Sequence, residues 1–242
     1  MNAIETRGLT KRFKDFTAVE HLDLAVREGE LLALLGVNGA GKTTTIRMLS
    51  CLLEPTGGDA LVCGKSILTE PQAVKRCINV SPQETAVAPN LSVLENLELM
   101  AGIYEKDAPA RRARELLEQL GLEDKAKSRA KTLSGGQQRR LSIAMALISE
   151  PQVLFLDEPT LGLDVLARRE LWNVVEGLKG RMTIVLTTHY MEEAEALADR
   201  VAVMARGRLR AVDTAAALMA ATGAKTFEDA FIRIAQEGRI AV

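Results

Sequence analysis

A chain of 242 residues with 47% apolar residues and a formal net charge of −1 at pH 7 can bury one sizeable core or two unequal lobes sharing one, and its mixed charge gives no reason to expect a nucleic-acid partner. Two histidines disfavour a zinc site, while Cys51, Cys63 and Cys77 show no Cys-x-x-Cys spacing and follow no secretory leader, which fits reduced thiols in the cytosol. No uninterrupted apolar run, Ile143 to Ile148 included, approaches the ~20 residues that cross a bilayer.

The first third reads as β-rich. Ala18 to Val26 alternates loosely, and "ELLALLG" is a short apolar run ending in glycine, as a buried strand does. "AGKTTTIRMLSCLL" then has helical apolar spacing at Ile46, Leu49 and Leu53, so the order is strand, glycine turn, helix. In that turn Gly36-Val37-Asn38-Gly39-Ala40-Gly41-Lys42-Thr43 matches G-x-x-x-x-G-K-[ST]. Glycines let backbone N–H groups turn inward around phosphates, with Thr44 next in the cradle, and the helix N-terminus adds positive potential. Lys42 reaches the β and γ phosphates as a point charge, and the Thr43 hydroxyl is a Mg²⁺ ligand.

Residues 89–131 turn charged and helix-periodic. Ser92 and Glu95 make a capping box before "NLELMAGIY"; Asp107 and Pro109 start "ARRARELLEQL", which Gly121 stops. This predicts a helical lobe inserted between α/β halves. In "LSGGQQRRLSIAMAL", Leu141, Ala144, Met145 and Ile148 recur at i, i+3, i+4 and i+7, which predicts a helix burying one face. Ser134, Gly135, Gly136 and Gln137 stand at its N-terminus, where unpaired N–H groups welcome an anion. Arg139 and Arg140 oppose that dipole and read as a solvated face, or as a positive edge facing a triphosphate.

"VLFLDEP" is an apolar strand ending in two carboxylates. A buried strand has no internal use for acid, so Asp157 and Glu158 should emerge at its C-terminal end, where open α/β sheets place their ligands. Asp157 suits a Mg²⁺ shell, and Glu158 suits a general base acting on water. His189 closes "TIVLTTH" at another strand end. A lone histidine is more often structural, but this placement also admits a γ-phosphate contact. "RVAVMARG" is a further strand, and the tail "FEDAFIRIAQ" has Phe227, Ala230, Phe231 and Ile234 spaced for a terminal helix packing on the core. The fold class is α/β: a P-loop NTPase core of mostly parallel sheet with flanking helices, an N-terminal antiparallel β region and an inserted helical lobe.

In chain order, "GVNGAGKT", "SPQ" with Gln83, "LSGGQ", "VLFLDE", "LGLD" with Asp164, and His189 make nearly the whole chain resemble the nucleotide-binding subunit of an ATP-binding cassette (ABC) transporter. The resemblance implies one domain: an α/β core over 1–88 and 132–222, a lobe over 89–131 continuing into the signature helix, and a helical tail over 223–242. It implies ATP and Mg²⁺ as ligands. It also implies a head-to-tail pair with a second copy or a paralogous subunit, in which ATP held by Gly36 to Thr43 of one is closed over by Ser134, Gly135 and Gly136 of the other. Gln83 would touch Mg²⁺ or water and report occupancy to the lobe, Asp164 would cross the interface, and His189 would contact the γ-phosphate. Phe13 best matches the family's adenine-stacking aromatic, with Phe16 the fallback.

"PTLGLDVLARRELW" and "FEDAFI" are similar to exporters of drugs, antibiotics, lipids or polysaccharides. The implied activity is ATP hydrolysis at the cytoplasmic face of a membrane, powering export through a separate permease that docks on residues 84 to 104. The alternative, a soluble ABC ATPase acting on chromosomes or ribosomes, usually carries a very long coiled-coil insertion or two cassettes; between Lys42 and Ser134 there is room only for the lobe.

Overall fold

The computed structural model describes residues 1–104 and 109–237. Asp107, expected to help start the second lobe helix, and the end of the tail beyond residue 237 lie outside the described residues. The chain opens with β1 (Asn2–Phe13), β2 (Phe16–Leu22) and β3 (Ala25–Arg27), then β4 (Leu31–Leu35), α1 (Lys42–Leu49), β5 (Gly57–Val62), β6 (Lys65–Ser66), α2 (Pro71–Cys77) and β7 (Ile78–Ser81). Next come α3 (Val93–Ile103), α4 (Pro109–Gln119) and α5 (Gly135–Leu147). β8 (Val153–Asp157), α6 (Val165–Glu176), β9 (Thr183–Thr188), α7 (Met191–Leu197), β10 (Arg200–Ala205), β11 (Arg208–Asp213), α8 (Ala215–Thr222) and α9 (Phe227–Glu237) complete it.

Two sheets result. One is antiparallel, ordered β2-β1-β5-β6 with β3 also on β1; the other is ordered β11-β10-β4-β9-β8-β7, parallel except for the edge strand β11. Every residue of β4, β8 and β9 is buried, as a parallel sheet covered on both faces requires. Alternation along these strands divides the core. Leu154, Leu156, Ile184 and Leu186 join the cluster with α3 to α6, whereas Val153, Phe155 and Val185 pack toward α1 and the antiparallel sheet. Ala33, Leu35, Val201 and Val203 meet α8 and α9, where Phe227, Ala230, Phe231 and Ile234 are all buried.

Local signals act largely as read. Ser92 Oγ accepts from Glu95 N at 3.2 Å, and Glu95 Oε2 accepts from Ser92 N at 2.7 Å, closing the capping box of α3. α1 is shorter than its apolar spacing predicts: it ends at Leu49, and Cys51 turns left-handed with φ 56°. The loose alternation of Ala18 to Val26 is divided between β2 and β3. α5 departs further from expectation. Rather than burying one face, it has Leu141, Ser142, Ile143, Ala144, Ala146 and Leu147 all buried, because it runs through the middle of the molecule beside β7 and against α3, α4 and α6. Among the described residues no helix is long and apolar enough to cross a membrane.

Candidate active site

The loop between β4 and α1 puts the N-terminus of α1 at the C-terminal end of the parallel sheet. Gly41, at its N-cap, has φ 103°, and a Cβ there would stand 2.6 Å from Ala18 O, so both conformation and space demand glycine. A cleft of about 390 Å³ opens here, lined by Phe16, Ala18, residues 38–44, Gln83, Glu158, Leu161 and His189. Gly36 and Val37 contribute behind it: their carbonyls accept from Lys42 Nζ at 2.8 and 3.4 Å.

β4, β8 and β9 lie side by side, so their ends deliver the polar groups together. Lys42 Nζ is 3.2 Å from Glu158 Oε1, and His189 Nδ1 is 3.1 Å from Glu158 Oε2. With its proton on Nδ1 the imidazole donates to that carboxylate and orients it. Asp157 Oδ1 accepts from Thr43 Oγ1 at 3.2 Å and from Thr187 Oγ1 at 2.5 Å. A hydroxyl of the cleft lining paired with the carboxylate next to it offers the kind of oxygen donors that a hard cation such as Mg²⁺ takes. Glu158 itself sits at φ 47°, a left-handed conformation that costs a non-glycine residue about 1–3 kcal/mol and persists only where the surroundings impose it. Its N–H is held by Thr187 O at 3.1 Å and Thr187 Oγ1 at 2.9 Å.

Arg139 corrects the sequence reading. It is neither a solvated face nor an outward positive edge, but 4% exposed, with its guanidinium turned into the protein behind Glu158. Burial pushes its pKa down to about 10, while the nearby Asp157, Glu193 and Glu158 charges hold it up. Arg140 is largely buried too, donating to Leu120 O at 3.3 Å and pairing with Glu170 at 3.2 Å. The hydrophobic period explains the misreading: it places a residue on a face of the helix, but whether that face meets other segments of the chain is decided by packing.

The remaining predicted residues lie apart from the cleft. Ser134 caps α5, its Oγ accepting from Gln137 N at 3.3 Å while Gln137 Oε1 accepts from Ser134 N at 3.0 Å. Ser134 thus caps its own helix, and the N–H groups of Gly135 and Gly136 are those the helix start leaves over. Asp164 caps α6, accepting from Ala167 N at 2.9 Å. These two helix starts adjoin: a Cβ on Gly136 would come within 2.9 Å of Ala167 Cβ. Phe13 is not in the cleft lining, and Lys11 Nζ stands 5.2 Å from its ring centroid; Phe16 takes the place on the cleft wall, 61% exposed. Sequence reasoning missed Thr187, whose signal was a pair of hydroxyl residues interrupting an apolar strand immediately before His189.

A family model described as ABC transporter matches residues 19–161. The daunorubicin/doxorubicin resistance ATP-binding protein DrrA of Streptomyces peucetius is 45% identical over 224 residues, covering 91% of this chain and 68% of that protein. The phospholipid-transporting ATPase ABCA3 of Homo sapiens is 43% identical over 214 residues, 86% of this chain but 12% of that much longer protein. A dimeric ATP-binding cassette in a post-hydrolysis state, bound to ADP and Pi, superposes with a TM-score of 0.79 at 27% identity, covering 87% of this chain and 98% of the other. Sequence, fold and cleft agree, and the chain belongs to the ABC transporter family as an ATP-binding, ATP-hydrolysing cassette.

Proposed function

We propose that this ATPase works as one half of a head-to-tail pair at the cytoplasmic face of a membrane, driving export of a drug-like or lipid-like compound through a separate permease. The observation that carries the paired reading is the separation of its parts. The phosphate loop, Gln83, Glu158 and His189 share one cleft, whereas Ser134 and Gly135 are exposed elsewhere beside Asp164, with Val165 and Leu166 69% and 77% exposed. One chain thus presents half of a phosphate site on each of two faces, and a second copy supplies the complement.

In this reading the Gly39 to Thr44 backbone and Lys42 bind the phosphates, and the Phe16 ring stacks on adenine. Thr43 and Asp157 hold Mg²⁺ with Gln83 nearby; when bound it neutralises charge on the β and γ phosphates. Glu158 accepts a proton from water as the water oxygen attacks the γ-phosphorus, and the bond to the β-bridging oxygen breaks to release ADP. His189 keeps the carboxylate aimed, and Ser134 with the Gly135 and Gly136 N–H groups of the second copy closes over the γ-phosphate. Residues 84 to 104, with Leu99 and Ile103 50% and 63% exposed on α3, offer the permease an apolar docking face.

The identity to a drug-resistance ATP-binding protein favours export as the direction, and the identity to a phospholipid-transporting ATPase favours a lipid-like cargo as the other candidate. The test is Glu158→Gln: ATP binding is expected to persist while turnover stops and an ATP-dependent dimer accumulates in size-exclusion chromatography. Turnover at the wild-type rate would overturn the base assignment.

A further inference from the structure

Five backbone carbonyls converge on the Arg139 guanidinium. Nε donates to Pro159 O at 2.8 Å, Nη2 to Asp157 O at 2.7 Å and Glu158 O at 2.8 Å, and Nη1 to Gln83 O at 3.1 Å and to Pro82 O. A guanidinium has five N–H donors in a rigid planar fork, so every donor is committed, and every acceptor belongs to one of two segments. Residues 157–159 carry the metal-side carboxylate and the base; residues 82–83 carry Gln83. A cation buried among neutral carbonyls is an expensive way to fill space, and an apolar side chain would take their donor from the Pro82, Gln83 and Pro159 carbonyls, whereas Glu158 O would keep only Leu161 N at 3.2 Å.

The backbone of Glu158 shows what the arrangement accomplishes. Its N–H is held by Thr187 and its carbonyl by Arg139, so both polar groups of the residue with φ 47° are pinned from opposite sides. Arg139 is also on the first turns of α5, at whose N-terminus Ser134 and Gly135 are exposed and Gly136 is buried. α5 is packed in the core along most of its length, so its start cannot move without carrying the guanidinium along.

We propose that Arg139 is a positioning residue: it locks the Glu158 turn and the Gln83 segment to the signature helix, so that engagement of Ser134 to Gly136 by a nucleotide on the second copy is felt at this chain's own base. This rests on the reading of Glu158 as the base and extends it to how that base is held. Lysine keeps the charge but has three donors on a flexible stem and cannot satisfy five carbonyls in a plane.

Arg139→Lys and Arg139→Gln separate positioning from folding and from binding. Turnover is read as phosphate release and affinity with a fluorescent ATP analogue, below each variant's unfolding midpoint. ATP affinity should stay within about threefold of wild type while kcat falls about ten- to a hundredfold in both, the loss expected from displacing a catalytic group by a fraction of an ångström to one ångström. Wild-type kcat in either variant overturns the proposal, as does a parallel loss of affinity and kcat. Failure of even Arg139→Lys to fold also overturns it, because that marks a purely structural residue. Glu158→Gln, run alongside, distinguishes the two claims: if it retains turnover the base assignment fails, and if it loses turnover while Arg139→Lys keeps it, only the positioning claim fails.

Discussion

Lys42 Nζ and Glu158 Oε1 form a buried ion pair at 3.2 Å, their side chains 4% and 9% exposed. The proposed phosphate-binding cation and the proposed general base are thus each other's partner across the cleft, and bound phosphates would compete with Glu158 for Lys42. Removing one member of a buried pair leaves the other charge uncompensated. Lys42→Met should therefore destabilise the fold by about 3 kcal/mol. Glu158→Gln should cost less, because the amide oxygen still accepts from Lys42, and the double variant should be more stable than the sum of the two predicts. Urea denaturation of the four proteins checks this, with additive losses counting against a coupled pair. Glu158→Gln should also bind ATP more tightly than wild type, since Lys42 no longer shares its charge with a carboxylate.

The two signature glycines should behave differently. A Cβ on Gly135 would meet nothing nearer than Leu163 Cδ2 at 3.8 Å, whereas one on Gly136 would clash with Ala167 Cβ at 2.9 Å. Gly135→Asp should leave the monomer folded and able to bind ATP but abolish the ATP-dependent dimer, since it sets a negative charge against the partner's phosphates. Gly136→Ala should lower stability by about 1–3 kcal/mol through overpacking. Thermal unfolding and size-exclusion with ATP report both, and a Gly135→Asp chain that dimerises normally would exclude that face from the interface.

Phe16 and Phe13 also part company. Loss of an aromatic stacking partner costs about 1 kcal/mol, a several-fold change in affinity. Phe16→Ala should weaken ATP binding by that amount, and Phe13→Ala should leave it within about twofold. Equilibrium titration of the two variants compares them directly; a larger effect at Phe13 would restore the sequence-based first choice.

Glu193 on α7 is fully buried, with Oε1 accepting from Trp172 Nε1 at 3.0 Å. Burial pushes its pKa above the ordinary value of 4.5, opposed by the neighbouring Thr188 and Thr160 hydroxyls, the Trp172 N–H and the Arg168 charge. A raised carboxyl pKa means that the folded state keeps a proton the unfolded chain has released. Its contribution to stability is therefore favourable at low pH and declines as pH rises from about 4.5 through the folded value. Glu193→Gln should flatten that part of the curve and gain relative to wild type toward neutral pH. Melting temperature against pH measures it; parallel profiles for the two proteins would mean that Glu193 is not the group responsible.

Motifs confined to a few consecutive residues were readable directly. The glycine spacing of residues 36 to 43 dictates a backbone turn, and an apolar run ending in Asp157 and Glu158 dictates carboxylates at a strand terminus, so the parallel core and the cleft followed from local rules. The capping box at Ser92 is equally local, whereas the one between Ser134 and Gln137 was found only in the structure. What period and motif could not reach were relationships across the chain. The partners of Arg139 lie 18 to 57 residues away, and those of Thr187 include Asp157, 30 residues distant.

The sequence by itself determined which chemistry this protein has, because phosphate loop, carboxylates and histidine are written in short stretches whose geometry neighbouring residues impose. Only the tertiary structure decided which aromatic lines the cleft, that Arg139 and Arg140 turn away from solvent, and that one guanidinium satisfies carbonyls from two separate segments. Burial and hydrogen-bond partnership are properties of packing, set where distant segments meet, and helix α5 meets other elements on nearly every side.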